Sequence, residues 1–236
     1  MERIVFVHGS VANGTVAWQP VEPLRERFEL VIPNRGGYPP GPLLERIDFE
    51  EQAEELAPLL GDGAHLVGHS YGAVISLLMA ARRPGLVRSL TVSEPPAFRL
   101  ARGRPEVELL IAELQAFFAA GPYKPAEYLR GFLVIVGSGG TDLPDPLPPD
   151  LEQGARAAMV ERAPWEAQIP LAELAEAPFP KLVVSGGHHA AFDAVCDVLE
   201  RNLDAERAVL PGAGHSLPRA PGYVERLEAF LRSVSK

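Results

Sequence analysis

Two kinds of apolar pattern alternate along this chain. Short β-branched or aromatic runs, such as Ile4-Val5-Phe6-Val7, read as buried strands. Between them, apolar residues recur every three or four positions, as on one face of a helix. Strands are predicted near residues 3–8, 28–32, 64–68, 87–92, 181–185 and 206–210. Helices are predicted near 49–60, 70–82, 189–202 and 221–234. Short strands alternating with helices argue for an α/β protein with a mostly parallel sheet.

Residues 97–178 break that alternation. Glu106 to Ala120 reads as a helix, with Val107, Leu110, Ile111, Leu114 and Phe118 on one stripe. Gly139 to Pro149 is rich in Gly, Pro and Asp and reads as a loop. Glu152 to Arg162 reads as another helix. Pro125 to Val136 carries both signals and is assigned helix. Pro33 to Pro42 is a Gly/Pro-rich loop after the second strand. It opens on Asn34-Arg35-Gly36-Gly37, a turn whose Arg35 can bind nearby carbonyls.

Composition narrows the class. The chain has 236 residues and is 47% hydrophobic, enough for one sizeable core. A net charge of −9 disfavours nucleic acid. The longest apolar stretch, Gly131 to Gly137, is far too short to span a bilayer. No apolar leader precedes the first strand, so a cytoplasmic protein is expected. Cys196, the one cysteine, falls on an apolar helix pattern with Phe192, Val195 and Leu199, so it reads as core. Nothing in the sequence sets an oligomeric state.

Three segments carry candidate chemistry. Gly68-His69-Ser70-Tyr71-Gly72 lies between a strand-like run and a helix-like run, the context of a G-x-S-x-G nucleophile elbow. The flanking glycines relieve crowding around a strained serine. A plain strand–helix connection with Ser70 as N-cap would give the same local pattern. Gly212-Ala213-Gly214-His215 follows the last predicted strand, and its glycines leave the His215 ring room to reach the sheet edge. His8-Gly9-Ser10 follows the first strand. An oxyanion needs two convergent N–H donors, and those of Ser10 and Tyr71 are the candidates.

In this order, His-Gly loop, serine elbow, late histidine, the segments resemble the α/β-hydrolase family. The resemblance covers most of the chain. It implies a mostly parallel sheet with helices on both faces, a core of residues 1–96 and 179–236, and a mainly helical cap inserted at 97–178. It also implies Ser70 as nucleophile, His215 as general base, and Ser10 and Tyr71 as the oxyanion hole. The acid departs from the common pattern. Many members carry an Asp in the loop after the strand that here is Lys181 to Ser185, yet that loop reads Gly186-Gly187-His188-His189. Some members, such as the haloalkane dehalogenases, place the acid after the strand following the nucleophile helix, which here ends at Ser93-Glu94-Pro95-Pro96. Glu94 is therefore the preferred acid, with an extended backbone expected from the prolines that follow. Asp193 is the alternative, though the N-terminal helix dipole suffices to explain it.

Adjacent histidines rarely present both rings to one ion, so no metal is expected at His188-His189, and no cofactor elsewhere. His65 is read as flanking its strand and His69 as packed behind the nucleophile. Phe98, Phe117, Phe132 and Trp165 are candidate pocket linings, with Phe98 and Trp165 assigned to substrate binding. The expected activity is hydrolysis of a small apolar carboxylic ester through an acyl-enzyme. The expected partner is a small-molecule substrate, with neither nucleic acid nor membrane. Hydroxynitrile lyase, C–C hydrolase, cofactor-free peroxidase and inert ligand-receptor roles occur on the same fold and stay open.

Overall fold

The computed structural model describes residues 1–139 and 142–235. Six strands form one parallel sheet: β1 (Glu2–Val7), β2 (Phe28–Val31), β3 (Ala64–His69), β4 (Val87–Ser93), β5 (Lys181–Ser185) and β6 (Glu206–Val209). Their spatial order is β2-β1-β3-β4-β5-β6. The chain thus steps outward from β1 to β2, then crosses back and builds the rest of the sheet on the other side. That reversal falls between β1 and β3. In open parallel sheets, ligands bind beyond the carboxyl ends of the strands at such a point.

The helices are α1 (Gly14–Ala17), α2 (Phe49–Leu56), α3 (Tyr71–Arg82), α4 (Pro105–Ala119), α5 (Pro125–Ile135), α6 (Pro149–Met159), α7 (Leu171–Glu176), α8 (Ala190–Leu203) and α9 (Tyr223–Val234). Alternate residues of β1 face opposite ways, as the period of two requires. Val5 and Val7 join a core with α2, α3, α4, α7 and α8. Ile4 and Phe6 join a second core with α9 and a 3-10 segment, Gln19–Glu26. Helices therefore cover both faces. From Tyr71 to Ala80, every residue of α3 is buried, as its almost wholly apolar composition demands, and the one hydroxyl among the aliphatic side chains, Ser76, donates to the Gly72 carbonyl at 2.8 Å.

Between β4 and β5, α5 and α6 form a cluster of their own around Tyr128, Leu129, Ala155 and Ala158. By contrast, α4 and α7 contribute Val107, Leu110 and Leu174 to the main core. Part of the loop expected at 139–149, Gly140 and Thr141, lies outside the described residues. The short α1, the Gln19–Glu26 segment and α7 were not anticipated. His65 does not flank its strand; it lies inside β3, fully buried, with Nδ1 2.8 Å from the Ser89 hydroxyl. Inward-facing strand positions accept a polar ring when it has such a partner. Among the described residues, no helix is long and apolar enough to cross a membrane.

Candidate active site

Ser70 sits between the last residue of β3 and the first of α3, with φ 52° and ψ −126°. A non-glycine residue there carries about 1–3 kcal/mol of strain. The turn is held by its neighbours. The Ser70 N–H donates to the Ser93 carbonyl at 2.9 Å. Gly72 packs its Cα against the Val7 and His8 carbonyls, where a Cβ could not fit. The Ser70 hydroxyl does not cap α3. It lies 2.9 Å from His215 Nε2.

His215 reaches that position from the loop after β6. Its backbone N–H donates to the Gly137 carbonyl at 3.1 Å, fixing the loop beneath the end of α5. Its Nδ1 lies 3.1 Å from Glu94 Oε2. A carboxylate only accepts, so Nδ1 carries the proton and Nε2 turns a lone pair to Ser70. Glu94 is fully buried. Its other oxygen, Oε1, accepts from the Gly186 N–H at 2.7 Å. The Glu94 backbone is not extended: φ is +49°. Its N–H is bound to the Val184 carbonyl, and this turn carries the carboxylate back over the sheet edge despite the following prolines.

Asp193 does not join this group. It lies in the first turn of α8 and accepts from Ser185 Oγ at 2.5 Å and Arg207 at 3.2 Å. The two adjacent histidines part company. His189 caps α8, its Nδ1 accepting from the Ala191 N–H. His188 faces Glu94, with Nδ1 3.7 Å from Oε1. His69 does pack beside the nucleophile, its Nε2 donating to the His215 carbonyl at 2.7 Å. Burial and the nearby His215 hold its ring below the ordinary histidine range.

The peptide between Gly9 and Ser10 is held from one side. Arg35 donates to the Gly9 carbonyl at 2.8 Å, and so does His8 Nδ1. The His8 tautomer is fixed because Nε2 accepts from the Arg35 N–H at 3.0 Å. Complete burial and Arg35 keep this ring neutral, well below the usual range. In a trans peptide, C=O and N–H point in opposite directions. Anchoring the Gly9 carbonyl therefore turns the Ser10 N–H the other way. Ser10 lines the same cavities as Ser70, and Tyr71 lines one of them.

Glu161, just after α6, was invisible as a site residue in the sequence. Its carboxylate accepts from Arg35 at 2.7 Å, Tyr38 at 2.9 Å and the Ser10 hydroxyl at 2.5 Å. Arg35 is itself buried, and Gln52 takes another of its donors at 2.7 Å. The loop after β1, the Arg35 turn and the end of α6 thus share one buried ion pair. No periodicity or motif around Glu161 announces this contact, which spans 126 residues to Arg35.

Two cavities meet at Ser70. One, of about 140 Å3, runs past Val11, Ala17, Leu133 and Arg219. The other, of about 40 Å3, is lined by Phe98, Phe118, Tyr128, Trp165 and Phe192. Phe132 borders both. Phe98, Phe132 and Trp165, expected as pocket linings, border the space beside Ser70. Phe117, the fourth expected lining, lines neither cavity and stacks on Tyr123 at 4.7 Å within the α4–α5 aromatic cluster. An apolar space of roughly 150 Å3 accommodates a group the size of benzene.

The model of the alpha/beta hydrolase family matches residues 4–227. The chain belongs to the alpha/beta hydrolase family. Relatives within it are distant. A pimeloyl-[acyl-carrier protein] methyl ester esterase of Methylococcus capsulatus is 30% identical over 169 residues, covering 71% of this chain and 62% of that protein. A probable lysophospholipase of Arabidopsis thaliana, BODYGUARD 1, is 25% identical over 115 residues, 43% of this chain and 24% of that protein. The match thus spans less than two thirds of either relative. Among solved structures, a bacterial membrane phospholipase A superposes with TM-score 0.74 at 24% identity, covering 99% of this chain and 79% of that one. This last likeness speaks to the fold alone.

Proposed function

We propose that this alpha/beta hydrolase is a serine carboxylic ester hydrolase that cleaves a small, largely apolar ester through an acyl-enzyme. The observation that carries this reading is the chain of contacts Ser70 Oγ–His215 Nε2 at 2.9 Å and His215 Nδ1–Glu94 Oε2 at 3.1 Å, opening onto an apolar cavity. His215 takes the Ser70 proton as Oγ attacks the ester carbonyl. The Ser10 and Tyr71 N–H groups bind the oxyanion. Collapse of the tetrahedral intermediate expels the alcohol, which takes the proton from His215. A water then gives its proton to the same base, attacks the acyl-enzyme and frees the acid. Glu94 holds the tautomer that makes Nε2 the base.

The aromatic cavity takes the apolar end of the substrate, and its size favours short acyl groups. In this reading α5 and α6 act as the cap, within an inserted segment of residues 97–178 that also holds α4 and α7. Names of relatives agree with ester chemistry: one is an esterase and one a probable lysophospholipase. The test is a panel of p-nitrophenyl esters of graded acyl length. Highest kcat/KM on short chains is expected. Poor turnover of these with efficient hydrolysis of long-chain emulsions would contradict the substrate assignment.

A further inference from the structure

His188 has no evident task in ester hydrolysis, yet its ring is held with care. Its Nε2 lies 3.2 Å from the Val136 carbonyl at the end of α5. A carbonyl only accepts, so in the neutral ring the proton sits on Nε2 and the Nδ1 lone pair points at Glu94. That Nδ1 is buried and has no hydrogen-bond partner. A lone pair directed at a carboxylate oxygen 3.7 Å away, without a proton between them, leaves a gap suited to a cation.

The rest of the geometry fits such an ion. One ligand atom each from Glu94, His188 and His215 lie within 4.8 Å of one another. His215 Nδ1 lies 3.1 Å from Glu94 Oε2 and His188 Nδ1 lies 3.7 Å from Glu94 Oε1, so each ring faces one oxygen of the carboxylate. Zinc–ligand bonds of roughly 2.0–2.1 Å in a tetrahedron place neighbouring ligand atoms about 3.3 Å apart. Two imidazoles and a carboxylate are a donor set that zinc and its neighbours favour. Each ligand also has the outer partner that metal-binding side chains use to fix their orientation. His188 has the Val136 carbonyl, Glu94 has the Gly186 N–H, and His215 has the Ser70 hydroxyl. Histidine spacing in the sequence could not show this, because only one ring of the His188-His189 pair takes part and β4 and the loop after β6 bring the others.

We propose that Glu94, His188 and His215 form an inhibitory site for a divalent transition-metal cation of the zinc class. Inhibition follows from the His215 tautomer. A metal on Nδ1 displaces that proton, and the neutral ring then carries its one proton on Nε2 instead. That nitrogen then cannot accept the proton of Ser70. The ion also takes the Glu94 carboxylate away from its orienting contact. Binding itself stands on the geometry alone; inhibition rests on the proposed esterase function.

The experiment is titration of the metal-free full chain with zinc chloride by calorimetry, with cobalt(II) absorption as a second readout. One ion per chain is expected, with tetrahedral cobalt bands. His188→Ala should weaken binding about a hundredfold. His188→Asn serves as the second variant should the alanine form not fold. His189→Ala and Ser70→Ala should bind zinc as the parent does, since neither side chain is a ligand. Ester hydrolysis should fall in step with zinc occupancy, return on adding EDTA, and resist zinc in the folded His188 variant. Absence of binding at millimolar zinc, or equal binding by the His188 variants, overturns the site. Full occupancy with undiminished turnover overturns the inhibition. A chain without esterase activity would leave the calorimetric result to decide the site by itself.

Discussion

Backbone strain collects at three residues of the candidate site. Among the described residues, the non-glycine positions with positive φ are Val11, Ser70, Glu94 and Asp204. Asp204 merely ends α8. The other three follow β1, β3 and β4 at the same sheet edge, where they set the course of the loop that carries Ser10, a hydroxyl and a carboxylate. Strain of this kind persists only where the surroundings fix it, and it gathers at working sites. Ser70 and His215 were legible in the sequence because each announces itself locally, through small neighbours and a preceding strand. Glu94 was legible from its place at the end of a strand. Its turned backbone was not, since proline rules alone favour an extended residue. The approach of His188 to Glu94 and the contact of Glu161 with Arg35 were not legible, because these partners lie far away in the chain. The acid assignment gives a direct prediction. Glu94→Gln keeps the shape but no longer selects the tautomer, and should lower kcat by about four powers of ten. Asp193→Asn loses a partly exposed contact with Arg207 and should cost at most about 1 kcal/mol of stability, with little change in rate. Steady-state kinetics of both variants check this. The opposite ranking would make Asp193 the acid.

At the scale of elements, the strands and the helices that pack on them were well anticipated, because the strands are short β-branched or aromatic runs and the helices carry an apolar stripe or a longer apolar run. Two misses have physical reasons. Gln19–Glu26 contains Pro20 and Pro23, which interrupt the helical pattern and favour a 3-10 turn. With only six residues, α7 is too short to show a period. The joint between α6 and the loop after β1 was also hidden. Gly154 packs directly against the Val11 carbonyl, and Glu161 ties Ser10 to Arg35 and Tyr38. Glu161→Ala leaves Arg35 charged and buried, and loss of one partner from such a pair costs about 3–5 kcal/mol. Urea denaturation should show that loss. Because Arg35 also holds the Gly9 carbonyl, kcat should fall in the same variant under native conditions. Stability within about 1 kcal/mol of the parent would show that the pair is dispensable.

Over the whole molecule, the parallel sheet followed from the alternation of elements and the helices on both faces from the resemblance to the α/β-hydrolase family, and the reversal between β1 and β3 puts every candidate group at one edge. Burial has a second consequence for the whole chain. His8 and His65 are fully enclosed, and burial holds both below the ordinary histidine range. Unfolded, each takes a proton near pH 6.5. Below that pH the unfolded chain binds protons that the folded chain refuses. Stability is therefore full above about pH 6.5 and falls as the pH drops toward the folded values, by up to about 1.4 kcal/mol per pH unit for each ring. Urea unfolding at pH 7 and pH 5 measures the slope. His8→Asn, though less stable at every pH, should show a shallower one; an unchanged slope would exclude His8 as a source. The central claim concerns a single reactive hydroxyl in a chain of 236 residues. It is tested most directly by intact-mass spectrometry after treatment with a fluorophosphonate. One adduct per chain is predicted, on Ser70, absent from a folded Ser70→Ala variant that also lacks ester hydrolysis. Labelling at another residue, or undiminished hydrolysis by Ser70→Ala, would contradict it.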